Sequence, residues 1–230
     1  MERDEYYGRE RPEVAAMIPG ESAVILDVGC GTGLLGKSLK DRGAPEVWGI
    51  ELSSDAANEA RKVLDHVIEG NIELIDLPLK KGYFDCIVCA DVLEHLRDPW
   101  SMVGTLKNFL KPGGAMVASI PNVGFHRIVR GLIRGRWRYT EAGVLDQTHL
   151  RFFTLQGIEE LFSVNGMTIE KIYRKIDSGA NMKILNLLCF NKLKESLVIQ
   201  YVVRARTGIL SGRGADGGKT GGAQAKAQTR

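Results

Sequence analysis

The stretch Val24-Ile25-Leu26-Asp27-Val28-Gly29-Cys30-Gly31-Thr32-Gly33-Leu34-Leu35-Gly36 decides the fold of this 230-residue chain. An apolar, β-branched run from Val24 to Val28 meets three alternating glycines and then a helix-like pattern. Glycines at a strand-to-helix junction permit positive φ and let backbone N–H groups come close to a ligand. Such a junction is the cofactor loop of a nucleotide-type α/β site.

Charge discriminates between the cofactors such a loop can hold. Gly31-Thr32-Gly33-Leu34-Leu35-Gly36 also fits the dinucleotide pattern GxGxxG, in which the helix N-terminus faces a pyrophosphate. Here the glycine run starts two residues earlier, at Gly29, and Asp27 sits inside the strand end. A carboxylate there opposes a pyrophosphate and suits a cationic ligand. S-adenosylmethionine carries a sulfonium and an ammonium. The run from Leu26 to Gly33 resembles motif I of the class I S-adenosylmethionine-dependent methyltransferases.

Composition places the chain among ordinary globular proteins, at 44% hydrophobic and 26% charged residues, with length enough for one sizeable core. No apolar run is long enough to span a membrane and no signal peptide stands at the start, so the expected location is cytoplasmic. The net charge of +3 is uneven: from Arg204 onward there are six basic residues and one acid, leaving the body slightly acidic at −2. Residues 208–230 are rich in Gly, Ala, Lys and Thr, cannot repay their ordering entropy, and read as a disordered basic tail. Four cysteines fall in apolar or strand-like contexts, consistent with reduced, buried thiols. Cys86 and Cys89 form a CxxC, but within one strand residues three apart point to opposite faces, which argues against a metal or redox pair.

Apolar β-rich runs alternate with helical patterns, which signals an α/β fold with a mainly parallel sheet. Strands are expected at 23–28, 46–51, 66–69, 84–90 and 114–120, with late strands at 167–175 and 196–205. Helices fit 10–17, 33–42, 54–63, 99–110 and 155–165, with a short helical segment near 181–193. Pro112-Gly113-Gly114 reads as a turn before the fifth strand. The stretch 122–152 interrupts the alternation. An insertion at the C-terminal end of a parallel strand lies beside the ligand crevice, which makes it the expected substrate lid.

Further motifs agree with the glycine loop. Val47-Trp48-Gly49-Ile50-Glu51 is a strand ending in an acid about 20 residues after the loop, the usual distance for a ribose-binding carboxylate. Both cofactor readings predict that acid. Alone, Glu51 also reads as a strand-end residue next to the helix cap Ser53. Leu52 would lie against adenine. Gly70-Asn71-Ile72 resembles the adenine-reading segment of the methyltransferases, with Asn71 in place of their usual aspartate. Tyr83-Phe84-Asp85-Cys86-Ile87-Val88-Cys89-Ala90-Asp91-Val92-Leu93-Glu94-His95-Leu96 resembles the family's fourth strand. The resemblance covers residues 23–120 and implies a doubly wound, seven-stranded, mostly parallel Rossmann-like sheet whose last strand is antiparallel. It also implies a domain over 1–207 with the lid at about 122–152. The implied cofactor site is Asp27, Gly29, Gly31, Gly33, Glu51, Leu52, Asn71, Ile72 and Asp91.

Methyl transfer is an in-line displacement, so the protein mostly supplies proximity and alignment. A hydroxyl acceptor must also lose a proton, which calls for a general base or a metal that lowers its pKa. The candidates are Asp91, Glu94 and His95, plus His149 at the end of the lid. Their spacing resembles the metal-dependent O-methyltransferases of the ubiquinone pathway and the small-RNA 2′-hydroxyl methyltransferases. That implies a Mg²⁺ or other divalent site made from Asp91, Glu94, His95 and His149. The same residues also read as a metal-free base, His149, or as a packed Leu-Glu-His turn without chemistry.

The lid holds five arginines between Phe125 and Thr140 (Arg127, Arg130, Arg134, Arg136, Arg138) and no acid. Arg127, Arg130 and Arg134 fall on one helical face, opposite Ile128 and Leu132. A basic amphipathic helix over 125–138 rests on an anionic membrane surface, clamps a phosphate, or packs on the core with a solvated arginine face. The flanks Ser119 to Val123 and Thr148 to Phe153 resemble bacterial methyltransferases of surface-polysaccharide assembly. That resemblance implies a small or lipid-linked glycan acceptor and a place at the inner membrane face.

The reading is an S-adenosylmethionine-dependent O-methyltransferase acting on a small or glycan-like acceptor. An RNA 2′-O-methyltransferase is a rival. Few stacking aromatics (Trp137, Tyr139) and an acidic body speak against nucleic acid. An NAD(P)-dependent oxidoreductase is a rival of another class, but no Tyr-x-x-x-Lys relay occurs. A cofactor-binding protein without catalysis is a third.

Overall fold

The computed structural model describes residues 11–208 apart from 45, 178, 180–185 and 189. The tail beyond 208, Cys189 and part of the expected 181–193 helical segment lie outside them. Seven strands form one sheet: β1 (Val24–Val28), β2 (Glu46–Glu51), β3 (His66–Glu69), β4 (Phe84–Ala90), β5 (Leu110–Pro121), β6 (Met167–Ile176) and β7 (Val198–Thr207). Their order is β3-β2-β1-β4-β5-β7-β6. β1 to β5 run parallel, and β7 is antiparallel to both neighbours. The chain leaves β1 towards β2 and β3, then returns to place β4 on β1's other side. That reversal opens a crevice at the C-terminal ends of β1 and β4.

Strand alternation divides the core into two layers. Leu26, Val28, Ile87 and Cys89 pack on one face with α4 (Pro99–Lys107) and α6 (Leu155–Ser163). Ile25, Cys86, Val88 and Val117 pack on the other with α1 (Pro12–Ala15) and α2 (Leu34–Asp41). Cys86 and Cys89 therefore lie in different layers, both fully buried and free, as the strand parity requires. α3 (Ser54–Ala60) starts where the Ser53 side chain accepts from the Ala56 N–H. α4 starts on Asp98, whose side chain accepts from the Ser101 N–H, with Pro99 at the first helical position. Its buried Met102, Val103 and Leu106 each contribute about 1.5–3 kcal/mol of burial.

The boundary between α4 and β5 differs from expectation. β5 begins at Leu110, so α4 ends at Lys107 and not at 110. Leu110 pairs with Phe84 while Ala115 pairs with Cys86, and the residues between loop out with Gly113 at φ 75°. The Pro-Gly-Gly turn is thus a bulge inside the strand and not a turn before it. The lid helix α5 (His126–Ile133) buries none of its residues, which removes the core-packed reading of that segment.

Candidate active site

The glycine loop closes over the end of β2. Gly29, Gly31 and Gly33 take φ values of 67°, 55° and 84°, left-handed conformations open mainly to glycine. The N–H groups of Gly29 and Cys30 donate to the Ile50 carbonyl at 2.8 and 3.1 Å. Gly49 permits this approach: a Cβ there would meet Cys30 Sγ at 2.6 Å. Glu51, almost fully buried, then accepts from the Gly31 N–H at 2.8 Å and from the Ser53 N–H at 2.9 Å. The strand-end acid thereby ties the loop to the start of α3. Leu52 beside it is 67% exposed.

Asp27 lies on the Ile25 side of β1 and is 2% exposed. Burial pushes its carboxyl up to about 7, against the opposing pull of Arg11, with Glu51 adding repulsion. Burial likewise pushes the Cys30 thiol up, with Asp27 and Glu51 adding to the effect, so Cys30 is no thiolate nucleophile. Asn71 spends its side-chain oxygen on the Glu73 N–H at 2.9 Å, and half-buried Ile72 packs against the core. The Asn71 amide thus closes a local turn, which the sequence alone did not indicate.

Asp91 follows β4 with φ 56°, an uncommon conformation for a non-glycine residue. Its N–H donates to Ser119, and its carboxylate accepts from Ser119 Oγ at 2.6 Å, from Gln200 Nε2 and from Arg11. Arg11 carries no readable sequence motif. Packing of α1 against the Val88 face delivers it to both aspartates.

Beyond Asp91 the chain forms a 3₁₀ turn, Leu93–His95, anchored by fully buried Leu93. The Glu94 carbonyl accepts from the N–H groups of Leu150 and Arg151 at 2.8 and 2.9 Å. A second tie joins Asn122 to Phe153, with the Val123 N–H on the Phe153 carbonyl at 2.9 Å. Segment 122–152 is therefore stitched down at both ends, and His149 is carried onto Glu94 and His95. One ligand atom from each of these three residues lies within 4.8 Å of the others. The two imidazole rings stand 4.7 Å apart at 76°. Asp91, expected as a fourth member, is outside this grouping, its carboxylate already engaged as above.

Chemistry in the grouping is set by its hydrogen bonds. His95 Nδ1 faces the Thr148 carbonyl at 3.2 Å, and His149 Nδ1 faces the Val144 carbonyl at 3.1 Å. A carbonyl only accepts, so in the neutral form of each ring Nδ1 carries the proton and Nε2 the lone pair. Burial, then the neighbouring His149, holds the His95 pKa below its ordinary value. Glu94 is 1% exposed, and neither carboxylate oxygen has a hydrogen-bond partner. Burial, then repulsion from Asp91, pushes its carboxyl well above the usual range. An orphaned buried carboxylate beside two oriented imidazole lone pairs fits a divalent cation.

Residues 2–172 match the family model described as "Methyltransferase domain". The chain belongs to this methyltransferase family. It is 34% identical to a ubiquinone biosynthesis O-methyltransferase of Azoarcus sp., over 65% of this chain and 70% of the relative. A protein of the same name from Xanthomonas campestris is 28% identical over 76% of this chain and 79% of its own length. A solved S-adenosylmethionine-dependent methyltransferase from Archaeoglobus fulgidus shares the fold, with a TM-score of 0.63 at 18% identity, over 89% of this chain and 97% of that one. The methyltransferase uses S-adenosylmethionine.

Proposed function

We propose that this methyltransferase O-methylates a small hydroxyl acceptor placed against Glu94, His95 and His149. The grouping of those side chains at the mouth of β4 carries the reading, and the O-methyltransferase names of the relatives support it. Gly29, Gly31 and Gly33 would hold the cofactor's methionine end, with Asp27 and Asp91 towards its cationic groups. Glu51 would accept from the ribose hydroxyls, and Leu52, Asn71 and Ile72 would flank the adenine.

Transfer breaks the sulfur–methyl bond and forms the oxygen–methyl bond in line, while the acceptor hydroxyl proton passes to a base. His149 Nε2 holds the free lone pair for that proton, and the Val144 carbonyl keeps the ring in the required tautomer. His95, held neutral, adds a second lone pair. A divalent metal bound by Glu94, His95 and His149 would occupy that same Nε2 lone pair of His149 and would lower the acceptor's pKa in place of the base. His149→Ala should cut turnover at least about a hundredfold while leaving S-adenosylmethionine binding intact. Unchanged turnover would refute the placement. Chelation with full retained activity would remove the metal but not the base.

The acceptor reading extends to lipid-linked glycans at an anionic membrane face. No helix among the described residues is long and apolar enough to cross a membrane. Support comes from α5, whose Leu132 and Ile133 are 48% and 82% exposed beside Arg130 and Arg134. Co-sedimentation with phosphatidylglycerol vesicles should weaken in the Arg130→Glu, Arg134→Glu double variant. Equal pelleting of both proteins would defeat it.

A further inference from the structure

Outward from His149 the lid carries an aromatic ledge that no step of methyl transfer or cofactor binding uses. Phe152 and Phe153 are adjacent, but only Phe153 enters the core; Phe152 is half-buried on the lid side. His149 and Phe152 rings lie 6.4 Å apart. Trp137 meets Phe152 edge-on at 5.1 Å and 83°. Tyr139 stands 6.3 Å from Trp137 and 6.4 Å from Phe152. Trp137 and Tyr139 are two apart in one run of the chain, and both rings come to the same side, against Phe152.

This ledge is held rigidly and left open. The Arg136 N–H donates to the Gly131 carbonyl at 2.9 Å, at one end of the run. At the other, the Thr140 N–H donates to Leu145, and the Gln147 N–H to Thr140, at 2.9 and 3.0 Å. Trp137 nevertheless stays 37% exposed and Tyr139 55% exposed. Large apolar rings fixed edge-on to one another but open to solvent keep their faces available for another ring. Preorganisation of this kind lowers the entropy lost on binding.

We propose that Trp137, Tyr139 and Phe152 are specificity-determining residues that select acceptors presenting the flat apolar face of a six-membered ring beside the reactive hydroxyl. The inference rests on the reading that the acceptor hydroxyl meets His149, because the ledge runs directly on from that ring. The stacking face belongs to an arene or to a pyranose, and the two are separated by probe. A linear polyol has no such face and gains nothing from the ledge.

The test uses the full chain loaded with S-adenosylhomocysteine and three probes: catechol, methyl β-glucopyranoside and propylene glycol. Saturation-transfer NMR and calorimetric titration report binding without requiring turnover. The wild type should bind at least one ring probe saturably at millimolar concentration, and propylene glycol should show no transfer. Trp137→Leu should weaken ring binding about tenfold, and Tyr139→Phe, which keeps the ring face, should leave it unchanged. Catechol binding alone assigns an arene acceptor, and glycoside binding alone a sugar. Failure of both ring probes to bind, or equal ring binding by wild type and Trp137→Leu, overturns the proposal. S-adenosylhomocysteine affinity and the unfolding midpoint of each variant establish that the fold and cofactor site are intact. Should Trp137→Leu prove misfolded, Phe152→Leu takes its place under the same criteria. Retained turnover in His149→Ala would instead defeat the placement of the acceptor and leave the ring-binding result standing.

Discussion

Replacing Asp27 by Asn should make the unliganded protein more stable and the cofactor site worse. The Asp27 carboxyl is buried, and its pKa is pushed from 3.8 up to about 7. Each unit corresponds to about 1.4 kcal/mol, so ionising Asp27 in the fold costs about 4 kcal/mol more than in the unfolded chain. The sign follows from proton counting. Between pH 4 and 7, roughly, the folded protein holds this proton and the unfolded chain has lost it, so stability falls as pH rises and the loss is complete above about 7. Asn keeps the size and removes the ionisation. Asp27→Asn should therefore exceed the wild type by up to about 4 kcal/mol at pH 8 and by under about 1 kcal/mol near pH 4. For a domain of this size that is roughly 10 °C in the melting midpoint at pH 8. Urea unfolding and calorimetric melting across this pH range measure the difference directly. S-adenosylmethionine should reverse the order: its sulfonium and ammonium stabilise the ionised Asp27, and the ligand-induced shift should shrink sharply in the variant. Wild-type affinity for the cofactor should also decline as pH falls through about 7, with a flat profile in the variant. Equal stability of the two proteins at pH 8, or equal cofactor affinity, would refute the reasoning.

Two further outcomes follow from the packing around the loop and the helices. Gly49→Ala would place a methyl 2.6 Å from Cys30 Sγ and 2.8 Å from Leu64, so it should cost about 1–3 kcal/mol and weaken cofactor binding, as read by urea unfolding and calorimetry. Asp98→Ala removes the side-chain cap of α4 and should cost about 1 kcal/mol in urea unfolding. Because that cap lies outside the cofactor loop, S-adenosylmethionine affinity should not change.

The fold was largely legible because period-two apolar runs and a glycine junction are local patterns. Leu26 and Ile25 had to face opposite layers, and Cys86 and Cys89 had to part, once the strands were placed. Boundaries failed where long-range pairing won: Phe84 draws Leu110 into β5, turning Pro112-Gly113-Gly114 into a bulge. Within the site, Glu51 was visible from its distance to the loop, but its grip on the Gly31 N–H was not. Arg11 was invisible, since nothing near it in sequence marks a partner for Asp27 or Asp91. Asp91 fitted the metal spacing, yet Ser119, Gln200 and Arg11 engage its carboxylate instead. Spacing fixes neighbours along the chain and says little about competitors from other strands.

The order of residues from Val24 to Gly36 carried the sheet class, and together with the Gly70-Asn71-Ile72 and Leu93-Glu94-His95 segments it pointed to the methyl donor. Those are local properties of backbone freedom and electrostatics. Tertiary structure decided how the chemistry is assembled. Glu94 and His149 are far apart in sequence, and the carbonyl of Glu94, binding Leu150 and Arg151, helps to join them. The same folding step buries the Glu94 carboxylate without a partner and leaves Trp137 and Tyr139 open. Burial depends on everything packed around a group, and no stretch of sequence carries that information alone.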